Sequence, residues 1–103
     1  MELVFATFES ELSHEEIEST MRTRAERFRE VDGLVQKYFV HDRENDRYGA
    51  CFLFDTVASR DAYFASDLSA GVGEAYAVVG DPTVTTAHLL FPLREAEGMP
   101  DPA

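Results

Sequence analysis

Few side chains in this sequence could act as an acid or a base in an otherwise apolar site. Lys37 is the single lysine and lies in a segment whose composition is typical of a strand. Val35 and Phe39 flank it on the same face of that strand, so we expect it to point into an apolar layer. Burial there would lower its pKa and make it a hydrogen-bond donor or a base. His88 lies in the last apolar segment, and an unperturbed imidazole titrates near neutral pH. Either group could remove a proton from a small molecule and stabilise the resulting anion.

Four tyrosines could shape a substrate-binding pocket around these groups. They are Tyr38, Tyr48, Tyr63 and Tyr76. A buried tyrosine is more often a core residue with a satisfied hydroxyl than an acid. Tyr76 differs, because it lies in an irregular segment that could close the mouth of a pocket.

Lys37 and His88 also have purely structural interpretations. Lys37 could be an edge-strand lysine whose stem packs while its ammonium reaches water or an acid such as Glu9 or Asp55. His88 could be a half-buried histidine bonded to a neighbouring threonine, since histidine is commonly of intermediate burial. The residues alone leave both interpretations open.

The sequence does not predict a metal site or a bound cofactor. His14, His41 and His88 fall on three different predicted elements without ligand spacing, and Cys51 is the only cysteine, so it has no partner for a disulfide or a metal site. The acidic segment 42–46 differs from a calcium loop, because Arg47 stands where such a loop needs glycine. No Gly-rich phosphate motif or haem attachment motif occurs.

Length and charge limit the classes of function. The 103 residues suit one domain over residues 1–94, followed by an acidic, proline-containing tail at 95–103 that we expect to be flexible. The net charge of -11 argues against nucleic acid and anionic membranes as partners. No basic stripe offsets this charge, because the helical arginines are interleaved with acids; they are Arg22, Arg24, Arg27 and Arg29.

No apolar run approaches the roughly 20 residues of a membrane span, and the N-terminus lacks the basic start of a signal peptide. We therefore expect a soluble cytoplasmic protein. Eight of the nine cations are arginine, which together with the acidity indicates either a halophilic source or an arginine-favouring composition.

Hydrophobic periodicity predicts the first half of the fold. Residues 3–8 are typical of a strand. The sequence from Ser13 to Glu16 has the S-x-x-E form of a capping box and begins a helix over residues 14–31. Gly33 suits the left-handed turn that ends it. The apolar stripe of this helix is predicted to be Ile17, Met21, Ala25 and Phe28.

The second half of the chain is again predicted to contain strands and a helix. Two strands at 34–40 and 48–55 are predicted to form an antiparallel hairpin around a charged loop. A helix at 57–68 presents a small-residue face, and residues 74–79 could add a helical turn. The remaining predicted elements are a turn at 80–82 and a last strand at 83–91. This order predicts the α+β, ferredoxin-like β-α-β-β-α-β fold, with an antiparallel sheet and both helices on one face.

The predicted strands are apolar on both faces. In the first strand Phe5 faces one way and Val4 and Phe8 face the other, and the later strands show the same pattern. The helices cover only one face, and the chain has no further element for the second. We therefore expect a homodimer in which two sheets pack face to face.

Three segments of the sequence resemble the YdhR-type mono-oxygenase family of the dimeric α/β-barrel superfamily. They are GLVQKYFV at 33–40, GACFLF at 49–54 and SRDAYF at 59–64. The resemblance implies ferredoxin-like protomers that pair through their sheets. It also implies a cofactor-independent oxygenase of a small aromatic or quinol-type substrate.

In that interpretation His88 or Lys37 is the base, and Tyr38, Tyr48, Tyr63 and Tyr76 shape the pocket. The alternative is a dimeric small-molecule binding or structural module without turnover, since a fold does not fix a function. A sheltered pocket that holds at least one group with a shifted pKa would favour the enzyme.

Overall fold

The computed structural model describes residues 1–94, and the predicted tail at 95–103 lies outside them. Four antiparallel strands form one sheet in the order β2-β3-β1-β4, so β2 and β4 are its edges. The helices cover one face, which confirms the ferredoxin-like prediction. The elements are β1 (Glu2–Ser10), α1 (His14–Phe28), β2 (Leu34–Asp42), β3 (Arg47–Phe54), α2 (Val57–Phe64), α3 (Asp67–Ala70), α4 (Val72–Ala75) and β4 (Val78–His88).

The capping box at the start of α1 is present as predicted. The Ser13 hydroxyl accepts from the Glu16 amide, and the Glu16 carboxylate accepts from the Ser13 amide. Gly33 has a φ of 77°, the left-handed turn expected there. Helix α1 ends at Phe28, three residues before the predicted end.

The buried stripe of α1 differs from the prediction at one position. The buried residues are Ile17, Met21, Arg24 and Phe28, and Ala25 is only partly buried. Arg24 follows Met21 by three residues and precedes Phe28 by four, so it fits the stripe as well as Ala25 does. Its long apolar stem fills more of the gap above the sheet than a methyl group could.

The predicted helix at 57–68 is instead α2 followed by two short helices. The break occurs at Ser66, whose hydroxyl donates to the Tyr63 carbonyl and accepts from the Ser69 amide. Such local bonds compete with a continuing helix. The small-residue face was also wrong: Ala58 and Ala62 are exposed, and Tyr63 takes the buried position against the sheet.

Strand β4 begins five residues earlier and ends three residues earlier than predicted. Residues 80–82, predicted as a turn, lie within it, and the pairing with β1 shifts register between Thr7 and Glu9. An edge strand tolerates Pro82, because one row of its backbone groups is unpaired anyway. The strand ends at His88 rather than at Phe91.

The core lies between the sheet and the helices, in two clusters of buried residues. The opposite face of the sheet carries no helix in the described chain. There Phe5 is 47% exposed and Tyr38 is 53% exposed. None of the helices among residues 1–94 is long and apolar enough to cross a membrane.

Candidate active-site cavity

A cavity of about 200 Å³ lies between the covered face of the sheet and the helices. Its walls are mostly aromatic and aliphatic, including Phe28, Phe39, Phe52 and Phe64. The polar side chains that line it are Lys37, Tyr63, Ser69 and Tyr76. The structure thus brings together three of the residues predicted from the sequence.

Strand β2 aims Lys37 at this cavity. Lys37 pairs with Phe52 and Phe52 pairs with Val4, which is fully buried in the core, so all three lie on the covered face. The Lys37 Nζ lies 3.1 Å from the centre of the Phe28 ring and 4.5 Å from that of Phe39. The Lys37 side chain is partly buried, and its ammonium lies against aromatic rings.

Burial lowers the pKa of Lys37 to about 7, and the positive charge of Arg24 lowers it further in the same direction. The acids proposed as partners contact other residues: Glu9 pairs with Arg47, and Asp55 bonds Ser59 and Thr56. Within residues 1–94, Lys37 forms no ion pair with a carboxylate. Burial and the charge of Arg24 both favour the free amine, which can accept a proton.

Tyr63 and Tyr76 are both 4% exposed and belong to the two halves of the core. Burial raises the pKa of each hydroxyl. A bond with Ser69 opposes this shift at Tyr63, and the charge of Arg24 opposes it at both. These hydroxyls stay protonated at neutral pH and can donate hydrogen bonds into the cavity.

Arg24 is the residue that sequence reasoning missed. It is 7% exposed, and its guanidinium donates to the carbonyls of Leu68 at 2.8 Å and Gly71 at 3.3 Å. The guanidinium carbon lies 5.9 Å from the Phe28 ring centre and 5.6 Å from that of Tyr76. Its place in the helical stripe was the signal that could have identified it.

Tyr48 lies outside the cavity, in a second cluster. Its hydroxyl is 3.1 Å from His14 Nδ1, and its ring stacks on His41 at 4.2 Å. These residues belong to α1, β2 and β3, so the fold joins two histidines that appear unrelated in sequence. Tyr48 and His14 line a separate groove of about 360 Å³ with Glu18 and Arg22.

Tyr38 and His88 also lie outside the cavity. Tyr38 follows Lys37 in β2 and therefore points to the uncovered face. His88 was expected in the middle of a strand, which is wrong because β4 ends there. Its side chain is 65% exposed, and Nδ1 lies 2.8 Å from a carboxylate oxygen of Glu2, where the alternative interpretation expected a threonine.

The sequence matches the model of the family described as "Putative mono-oxygenase ydhR" over residues 3–79. The chain belongs to the ydhR family. The match covers most of the fold, from β1 to the start of β4, and includes Lys37, Tyr63 and Tyr76. No curated protein sequence matches this ydhR-family chain significantly.

Solved structures similar to this ydhR-family chain share its fold at low sequence identity. SnoaB of Streptomyces nogalater, a cofactor-independent oxygenase, is 18% identical with a TM-score of 0.70, over 91% of this chain and 98% of that one. NE2512 of Nitrosomonas europaea, a protein of unknown function, is 14% identical with a TM-score of 0.74, over 92% and 94%. A dimeric ferredoxin-like protein of Thermobifida fusca is 13% identical with a TM-score of 0.66, over 85% and 89%.

Proposed function

We propose that this protein is a cofactor-independent mono-oxygenase of a small hydroxylated aromatic substrate, of the phenol or quinol type. The observation that carries the proposal is the amine of Lys37, held in an apolar cavity with a pKa near neutrality. Membership of the ydhR family and the shared fold with a cofactor-independent oxygenase support it.

The cavity limits the size and shape of the substrate. Its volume of about 200 Å³ is below the roughly 300–1,000 Å³ usual for ligand pockets. Its aromatic walls favour a flat ring, since aromatic pairs stack or meet edge to face. We therefore propose a substrate of one or two fused rings with at least one hydroxyl.

Lys37 is proposed as the base. The neutral amine takes the proton of the substrate hydroxyl, and the ammonium that forms stabilises the phenolate, helped by the hydroxyls of Tyr63 and Tyr76. His88 is not proposed for this role, because it is exposed at the end of β4 and bonded to Glu2.

The electron-rich anion then reduces oxygen directly. A C–O bond forms between O₂ and the ring carbon para to the hydroxyl, which gives a peroxide. When the O–O bond breaks, one oxygen atom stays on the ring as a carbonyl. The other leaves as water with the proton taken from the hydroxyl and the hydrogen of that ring carbon. A phenol and O₂ thus yield a quinone and water, and the substrate supplies all the electrons.

We also propose that two copies pair through the uncovered faces of their sheets. This face exposes Phe5 and Tyr38, whose apolar surface a second copy would remove from water. The relative from Thermobifida fusca is described as dimeric. Light scattering should give twice the mass of the chain at micromolar concentration, and a monomer would contradict this part of the proposal.

Oxygen consumption tests the proposed reaction. Purified protein is given phenols and naphthols, with Lys37→Met and Tyr38→Phe as variants. Uptake above the rate of autoxidation that Lys37→Met removes and Tyr38→Phe keeps would support the proposal. Ligand binding by calorimetry without any uptake would contradict it and would favour the non-catalytic binding module.

A further inference from the structure

We propose that Arg24 is a positioning residue of the cavity, which anchors the segment carrying one of its walls and keeps a permanent positive charge beside Lys37. This inference rests on the proposed function, because it assigns a role within the same cavity.

The anchoring role follows from two hydrogen bonds. The guanidinium donates to the carbonyls of Leu68, in α3, and Gly71, between α3 and α4. Each of these helices has only four residues, and helices so short are not stable by themselves. The segment supplies Ser69, Val72 and Tyr76 to the cavity wall. From its position on α1, Arg24 thus fixes the segment that carries three of the side chains lining the cavity.

The charge of Arg24 is uncompensated in the described part of the chain. No carboxylate of residues 1–94 pairs with it, and its Nε is buried without a hydrogen-bond partner there. A buried, unpaired charge is costly to the fold, and arginine cannot escape the cost by losing its proton. An apolar side chain in the same stripe would avoid that cost, but it could neither donate to the two carbonyls nor place a charge beside Lys37.

Lys37 lies close enough to Arg24 for the two positive charges to repel each other. The Lys37 ammonium and the Arg24 guanidinium both lie beside the Phe28 ring, which places the two groups within about 9 Å, close to one Debye length at about 0.1 M salt. Repulsion between them favours the neutral amine that can accept a proton, and the guanidinium also favours an anion in the cavity. This agrees with the direction in which Arg24 moves the pKa values of Lys37, Tyr63 and Tyr76.

The single lysine makes a direct test possible. Reductive methylation with ¹³C-formaldehyde labels Lys37 and the N-terminal amine, and the pKa of Lys37 is then followed by NMR. Arg24→Gln removes the charge, and Arg24→Lys keeps the charge but loses the two-pronged donor. Arg22→Gln is the matched control, because Arg22 lies on the same helix but is 79% exposed and pairs with Glu18.

The proposal expects the pKa of Lys37 to rise in Arg24→Gln and to stay near its original value in Arg22→Gln, the two variants that keep Lys37 as the single lysine. Amide hydrogen exchange over residues 66–76 should accelerate by roughly tenfold in both Arg24 variants, because each loses at least one charged hydrogen bond. Circular dichroism checks that each variant is folded. If Arg24→Gln does not fold, the exchange in Arg24→Lys still tests the anchor.

An unchanged pKa of Lys37 in a folded Arg24→Gln, or unchanged exchange at 66–76 in Arg24→Lys, would overturn the inference. Neither measurement needs turnover. If both shift as expected and no substrate consumes oxygen, the role of Arg24 as an anchor and charge stands, and the oxygenase proposal is the one that fails.

Discussion

Lys37 and Tyr38 are consecutive residues of one edge strand, and they lie in opposite environments. Lys37 points into the cavity under α1, where its Nζ meets the ring of Phe28. Tyr38 points to the uncovered face and is 53% exposed. On the covered face burial lowers the pKa of Lys37 to about 7, and this is why the amine is proposed as the base. The uncovered face leaves a tyrosine free for contact with another surface.

The His14, Tyr48 and His41 cluster extends this comparison. Its three titratable side chains contact one another, but His14 is more than half exposed and pairs with Glu18. His41 pairs with Asp46, which is 84% exposed. Exposed pairs of this kind are screened by solvent and are worth little. The candidate active site is therefore distinguished by Lys37, which pairs with no carboxylate of residues 1–94, whereas both histidines of the cluster pair with acids.

The largest expected effect separates the two neighbours in β2. Lys37→Met should lower the rate of oxygen consumption by roughly 10²- to 10⁴-fold, the usual contribution of a general base. Tyr38→Phe should change the rate less than about twofold, because it keeps the ring and its hydroxyl does not reach the cavity. Initial rates at saturating substrate measure both. If both variants lost the same share of the rate of oxygen consumption, the reaction would not depend on which face of the sheet the residue occupies.

A charge on the uncovered face should break the proposed dimer. In Phe5→Glu two carboxylates would be buried in a symmetric interface, which costs several kcal/mol. We expect light scattering to show a monomer. Val57→Glu is the control, because Val57 is 46% exposed but lies on α2, away from the sheet face, and this variant should stay dimeric. Dissociation of both variants would place the interface elsewhere.

The buried amine should make stability depend on pH. The pKa of Lys37 is about 7 in the folded chain and 10.5 ordinarily, so between these values the unfolded chain holds a proton that the folded chain lacks. The free energy of unfolding should therefore rise with pH across this window, by at most about 1.4 kcal/mol per unit. Urea unfolding at pH 7 and 9.5 measures it.

Lys37→Met should lose this rise, and Tyr38→Phe should keep it. The measurement stays below pH 10, because the raised pKa values of Tyr63 and Tyr76 act in the opposite direction above that pH. A rise of the same size in Lys37→Met would show that another group causes it.

The smallest effect is expected at His88. Its contact with Glu2 lies at the end of β4 and the imidazole is largely exposed, so His88→Gln should cost at most about 1 kcal/mol of stability. The rate of oxygen consumption should stay within about threefold, since the side chain does not line the cavity. A loss as large as that of Lys37→Met would make His88 part of the active site.

Much of the fold follows from local sequence signals. The capping box at Ser13, the left-handed Gly33 and the alternation of the strands all act over a few residues, and the structure confirms each. The inward direction of Lys37 followed from the same alternation. These features need no knowledge of what packs against them.

The errors come from choices that only packing decides. Both Arg24 and Ala25 fit the stripe of α1, and the space above the sheet selects the arginine. Strand β4 continues through Pro82 because its position at the edge tolerates an unpaired backbone. Packing also decides that Tyr48 lies at a second cluster and that His88 lies at a strand end. The outward direction of Tyr38 is different, because it follows from alternation with Lys37 along β2.

The most direct test of the central claim is a single-turnover reaction under isotopically labelled ¹⁸O₂, with a substrate from the oxygen-uptake panel and a chelator present throughout. The account predicts one ¹⁸O atom in the quinone carbonyl and the other in water, with product formation lost in Lys37→Met and kept in Tyr38→Phe. An unlabelled product, or label that appears equally with and without Lys37, would contradict it.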